Sequence, residues 1–265
     1  MNTMIPLDSC ALTDRGLRRR LNEDQFICKP EPGLFVIADG MGGENCGDVA
    51  SLLTAEFFES SITPYMIDEE ATVPFEHENG SDFFLNALKH AADQTNQAVL
   101  NVMKEKPACR GMGSTLTAVA VHEKHLYIAH VGDSRLYCFE NSKLSQITED
   151  HTRVMELVKK NVLTAEEART HRERHIITRC VGRKKQFRPD LMKLELLPEA
   201  LYLICSDGLH DMLEDSEIAQ IMMQNQNLEQ LGRNLVTSAN EKGGKDNITI
   251  VLFRQQSENN GGDYG

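Results

Sequence analysis

The chain has 265 residues, enough for one large domain with a full core or for two small ones. Its 40% hydrophobic and 26% charged content is that of a globular protein, and a net charge of −12 weighs against nucleic acid and anionic membranes as partners. No apolar stretch approaches the about 20 residues of a membrane span, and the opening MNTMIPLDSC lacks the basic-then-apolar pattern of a signal peptide.

Residues 9–12 read as a short first strand. Asp14-Arg15-Gly16 is a turn, and Arg18, Arg19 and Arg20 then precede Asn22, Glu23 and Asp24. As chemistry, that order sets an anion-binding arginine beside cation-directed carboxylates. As structure alone, it is a solvated charge run. Residues 25–29 and the uncharged run Leu34–Ala38 read as two strands joined by a turn over Pro30–Gly33. Such a hairpin brings Glu23 and Asp24 to the same sheet end as Asp39. Asp39 is followed by Gly40, Met41, Gly42 and Gly43, and this glycine density lets backbone approach a ligand closely.

Residues 44–66 read as a helix with Val49, Leu53 and Phe57 facing the core, and 67–80 as an acidic loop. Residues 82–106 form a second helix with Phe84, Leu88, Ala91, Ala98 and Val102 along one stripe. Residues 115–121, 126–131 and 135–139 then read as short strands with short breaks, an antiparallel meander rather than βαβ repeats. Asp133 sits in the Gly132-Asp133-Ser134 turn between the last two.

Residues 153–160 read as a short helix, and Thr164 to Glu167 as a capping box that opens another. This polar insertion has little core material of its own and reads as a flap over a site. Strand character returns at 192–197 and 201–205, where Asp207-Gly208 follows an apolar run as Asp39-Gly40 does. Helices follow over 216–223 and 228–239. Gly243-Gly244-Lys245-Asp246-Asn247 is a turn before a last strand over 248–253, and 255–265 is a polar tail with the composition of disorder.

The seven cysteines are scattered, odd in number and without a CxxC, so neither a zinc site nor a disulfide framework is expected. A reducing cytoplasm fits them, with Cys28, Cys138 and Cys205 as small core residues. His151, His171 and His175 have no metal-ligand spacing and read as surface or flap residues.

Asp39, Asp207 and Asp246 each sit beside glycine or asparagine at a strand end, and Asp24 and Asp133 repeat the theme. Converging carboxylates repel one another unless cations lie between them. Oxygen donors without His or Cys suit Mg²⁺ or Mn²⁺. Two such ions can share a carboxylate and activate a bridging water for phosphate ester hydrolysis, with Arg19 gripping the phosphate.

The order of these residues resembles the metal-dependent PPM/PP2C protein serine/threonine phosphatases in their compact bacterial form. The motifs are Arg19-x-x-Asn22-Glu23-Asp24, Val36 to Gly43, Gly113-Ser114-Thr115, Val131 to Arg135, Asp150-His151, Ile177 to Gly182, Cys205 to Leu209 and Lys245-Asp246-Asn247. The resemblance implies an α+β fold, a four-layer α-β-β-α sandwich of two antiparallel sheets flanked by helices. It implies a phosphatase domain over 7–254, with 152–175 as the flap and 255–265 as the tail.

It further implies that Asp39 is the ligand shared by two Mn²⁺ or Mg²⁺ ions, with the Gly40 carbonyl beside it. Asp207 and Asp246 complete the first ion's ligands. Asp24 and Glu23 surround the second ion, Asp133 with Asp207 matches a third, weaker site, and Arg19 binds phosphate. Met41 stands where some eukaryotic members carry a histidine proposed as general acid, so a metal-bound water or another group must protonate the leaving serine or threonine. The implied substrates are phosphorylated proteins, with a cognate serine/threonine kinase as the opposing enzyme. The expected form is a cytoplasmic monomer.

Two other readings compete. A silent phosphoprotein-binding regulator of the same fold would be marked by loss of a metal aspartate, and Asp39, Asp207 and Asp246 are all present. A GDS-type serine hydrolase would use Ser134, with Asp207 to His210 as its DxxH, but such enzymes carry GDS near the N-terminus.

Overall fold

The computed structural model describes residues 5–42, 46–68, 82–183, 187–224 and 227–256. Gly43, most of the loop expected over 67–80 and nearly all of the expected tail lie outside them.

One sheet has the order β1 (Leu7–Asp14), β11 (Ile248–Gln255), β10 (Leu201–Cys205), β7 (Arg135–Glu140), β8 (Lys143–Gln146). The other runs β2 (Asp24–Lys29), β3 (Leu34–Met41), β5 (Leu116–His122), β6 (His125–Val131), β9 (Asp190–Glu195), and the short β4 (Gly113–Ser114) pairs with β3. Every pairing is antiparallel. Helices α1 (Gly47–Ile67) and α2 (Phe83–Glu105) pack on the β3 sheet. Helices α6 (Asp215–Met222) and α7 (Leu228–Glu241) cover the β11 sheet.

Side-chain alternation builds these layers. On β3, Leu34 and Val36 face α1 and α2, while Phe35 and Ile37 face the other sheet. On β11, Ile248, Ile250 and Leu252 face α7, and Val251 and Phe253 face inward. Phe253 stacks between Phe35 at 4.2 Å and Tyr202 at 5.0 Å between ring centres, closing the space between the sheets. This is the expected four-layer sandwich.

Four expectations need correction. The core stripe of α1 is rotated by one residue: Phe58 is fully buried, whereas Phe57 is 42% exposed. One residue turns a helix by about 100°, and the sheet accepts the face carrying Ala50, Thr54, Phe58 and Ile62. The three middle strands are not one meander, because β6 and β7 lie in different sheets and the Gly132–Ser134 turn crosses between them. Cys46 and Cys109 form a disulfide across a separation of 63 residues, tying the start of α1 to the 3₁₀ turn Pro107–Cys109. His151 is a buried residue rather than a surface one. It accepts the Gly132 N–H at Nδ1 (3.1 Å) and donates from Nε2 to Asp190 (3.0 Å).

Two short helices, α3 (Arg153–Lys159) and α4 (Ala165–Thr170), occupy the polar insertion. The Thr164–Glu167 capping box opens α4 as expected. The short α5 (Asp207–His210) starts at Asp207, so Asp207 opens a helix where Asp39 lies inside a strand.

Candidate metal centre

The hairpin register sets Asp24 directly opposite Asp39. The Gly40 N–H donates to the Glu23 carbonyl at 3.1 Å, carrying the ladder one step further. On the other side of β3, Thr115 receives the Asp39 N–H on its hydroxyl and donates its own N–H to the Asp39 carbonyl, both at 2.9 Å. The backbone of Asp39 is thus held from both neighbours. Gly40 is required by a close approach: a Cβ there would lie 2.0 Å from the Gly47 carbonyl oxygen at the start of α1.

Asp207 and Asp246 come from the other sheet's end. A Cβ at Gly208 would lie 1.9 Å from the Asn247 carbonyl oxygen, so α5 and the turn before β11 are in backbone contact. Ser206 binds Asp24 through its hydroxyl at 2.8 Å and receives the Thr249 N–H at 3.0 Å, joining the two sheet ends. Asp133 hangs from the crossover turn. His210 donates from Nε2 to its carbonyl at 3.0 Å, and the Asp133 carboxylate keeps one oxygen buried without a hydrogen-bond partner among the described residues.

A cavity of about 800 Å³ opens over this junction. Asp39, Gly40, Asp133, Asp207, Asp246, Glu23 and Arg19 all line it. Of the predicted site residues only Asp24 lies behind the wall, bonded to Ser206. Arg19 forms an ion pair with Asp246 at the rim.

The electrostatics are those of a site built for cations. Burial, and then the charges of Asp24, Asp207 and Asp133, raises the Asp39 carboxyl well above the usual range. Burial and the charges of Asp133 and Asp246 do the same to Asp207. Asp24 is pushed up to about 6 by burial against the pull of its Thr249 and Ser206 hydrogen bonds, and Asp133 to about 7 by burial and Asp150. Carboxylates crowded in this way hold protons unless a cation neutralises them. The donors are all oxygen, one is an orphaned carboxylate oxygen, and the cleft is polar. That set fits hard divalent ions.

Sequence reasoning gave no role in the site to three residues. Asn247 is a buried clasp: its side-chain oxygen accepts the Glu23 N–H at 2.9 Å, and its nitrogen donates to the Arg15 and Leu21 carbonyls at 2.9 Å each. It straps the arginine loop onto the turn that carries Asp246. His175 and Asp211 each bring a ligand atom within 4.8 Å of Asp207. Their spacing along the chain carries no signal, since only the fold of the insertion brings His175 over α5. Ser134 is fully buried, its hydroxyl 2.8 Å from that of Thr115, so it is not available as a hydrolase nucleophile.

A sequence profile described as protein phosphatase 2C matches residues 18–252. The chain belongs to the protein phosphatase 2C family. It is 31% identical over 254 residues to the serine/threonine phosphatase stp of Listeria monocytogenes, covering 95% of this chain and 97% of that one. Its fold matches the serine/threonine phosphatase PstP/Ppp of Mycobacterium tuberculosis with a TM-score of 0.82 and 34% identity, over 95% and 99% of the two chains. It also matches the catalytic domain of PstP in complex with two manganese ions, with a TM-score of 0.79 and 33% identity over 94% and 97%. Within the family frame, the Asp39, Asp207 and Asp246 cluster occupies one continuous cleft floor here.

Proposed function

We propose that this chain hydrolyses phosphoserine and phosphothreonine in proteins, using divalent cations held by the carboxylates of the cleft. The observation that carries the reading is the convergence of Asp39, Asp133, Asp207 and Asp246 from four separate segments on one cavity. Family membership and relatives named serine/threonine phosphatases support it.

Asp39, with the Gly40 carbonyl beside it, would be shared by two cations, and Asp207 and Asp246 would complete the first ion's ligands. Asp39 with Glu23 and Asp24 would surround a second, and Asp133 with Asp207 a third. The bound Mn²⁺ or Mg²⁺ supplies Lewis-acid charge, which lowers the pKa of water and offsets negative charge at the phosphorus.

The rest is the work of side chains. Arg19, anchored at the rim, presents its guanidinium fork to the phosphoryl oxygens. Thr115 holds Asp39 in place, and Asn247 holds the arginine loop. Met41 lines the cleft and has no proton to give, so the leaving oxygen takes its proton elsewhere. The domain of this activity spans 7–254, and the segment over 152–175 acts as its flap.

The reading includes a cytoplasmic monomer that opposes a serine/threonine kinase. Five free thiols support the reducing compartment, and the Cys46–Cys109 bond pulls the other way. Among the described residues, no helix is long and apolar enough to cross a membrane.

The test is release of phosphate from a phosphothreonine peptide, with EDTA and with Mn²⁺ added back. Turnover restored by Mn²⁺ and abolished in a folded Asp39→Ala variant is expected. Turnover that persists in EDTA, or in Asp39→Ala, refutes the cation mechanism.

A further inference from the structure

The floor of the cleft is acidic, but its rim is basic. Arg20, Arg174 and Lys245 line the cavity together with Arg19. They come from three segments: the loop between β1 and β2, the stretch after α4, and the turn before β11. Arg19 is paired with Asp246. Arg20, Arg174 and Lys245 have no carboxylate within ion-pairing distance among the described residues.

On a chain of net charge −12, basic side chains gathered from three segments around one opening are placed to meet an anion. Arg174 also acts on the charge of Asp211, which lines the same cavity, whereas Arg20 and Lys245 line the opening with no ion pair among the described residues. The phosphoryl group itself belongs to the floor and to Arg19. The residues on either side of the phosphorylated side chain must pass over the rim.

We infer that this phosphatase selects phosphoproteins with aspartate or glutamate beside the phosphorylated residue. The inference rests on the phosphatase reading above and names the substrate class of that same site. Rim charges act mainly on encounter and KM, and salt weakens them. Exposed Leu21, which lines the same cavity at 60% exposure, adds an apolar contact beside the ring without reading charge.

The test uses the Mn²⁺-loaded full chain and phosphothreonine peptides that differ only in their flanks: acidic, neutral, lysine-rich, or neutral with a second phosphoserine. For two or three flanking acids the expected gain in kcat/KM over the neutral peptide is about 3- to 10-fold, carried by KM and shrinking at high salt. In the double variant Arg20→Gln/Lys245→Gln the acidic-to-neutral ratio is expected to fall towards one. Fluorescence anisotropy of labelled peptides reads the same ratio as Kd, so the rim is tested whether or not turnover occurs. A ratio within twofold of one in the wild type, or a preference for lysine flanks, overturns the inference while turnover leaves the phosphatase reading standing. A gain with the second phosphate alone overturns it in favour of multiply phosphorylated substrates. Absence of all turnover, with the Kd ratio intact, overturns the phosphatase reading and supports the rim.

Discussion

Replacing Asp150 with alanine strands a largely buried guanidinium. Arg135 opens β7 immediately after the crossover turn and forks onto Asp150, with Nε to Oδ1 at 2.9 Å and Nη2 to Oδ2 at 2.7 Å. Its third arm donates to the Tyr137 hydroxyl at 2.8 Å, and Gln146 donates to Asp150 at 2.9 Å. The two side chains are only 19% and 9% exposed. Burial pushes Asp150 up, yet the charge and hydrogen bonds of Arg135 overcome it and hold the carboxyl below its ordinary range. Removing one partner of such a pair costs about 3–5 kcal/mol, because the other charge stays buried without compensation. Asp215 stands 3.9 Å from Nη1 and can take up part of that charge, which favours the lower end. For 265 residues, an unfolding entropy of about 2.1 cal/mol/K per residue turns this cost into a fall in Tm of about 5–9 °C. Calorimetry of the metal-saturated protein at pH 7 measures it. The double variant Arg135→Met/Asp150→Leu removes both charges and is expected to recover most of the loss. A Tm for Asp150→Ala within 2 °C of wild type refutes the reasoning, as does a double variant less stable than the single one.

Further expectations follow from other contacts. Burial, and then the charge of His151, lowers the His130 ring to about 4, and both ring nitrogens are engaged, Nε2–H with the Glu149 carbonyl and Nδ1 with the Thr117 hydroxyl. Its unfolded value is near 6.5, so the unfolded chain binds the extra proton between pH 6.5 and 4, and stability falls with pH across that window by about 3 kcal/mol. Denaturant melts of wild type and His130→Gln isolate this as a difference, and parallel acid limbs would rule it out. Gly208→Ala drives a Cβ into the Asn247 carbonyl and displaces Asp207, so kcat is expected to drop about 10²-fold; wild-type kcat would disprove the close approach. The Cys46–Cys109 bond closes a separation of 63 residues, which in the chain-entropy account is worth about 4 kcal/mol. Denatured but unreduced protein should titrate five thiols and reduced protein seven, with Tm lower under reductant; seven thiols from the outset would refute the bond.

Local signals were enough for much of this molecule. The uncharged run Leu34–Ala38 and the turn over Pro30–Gly33 already imply a hairpin, and strand pairing across it sets Asp24 against Asp39. The Thr164–Glu167 pattern implies a helix start, because the cap satisfies backbone groups within a few residues. The order of the aspartate motifs carried the family resemblance and the expected cleft. What remained needed partners distant in the chain. Whether Phe57 or Phe58 enters the core depends on which face the sheet accepts, and that choice is absent from the helix's own periodicity. The crossing at Gly132–Ser134 depends on β10 pairing with β7, a contact more than 60 residues away. Asn247 as a clasp, His175 over α5, the buried His151 and the Cys46–Cys109 bond belong to the same class. Each joins residues whose own neighbourhoods are unremarkable, so only the packing of the two sheets and the insertion decides their roles.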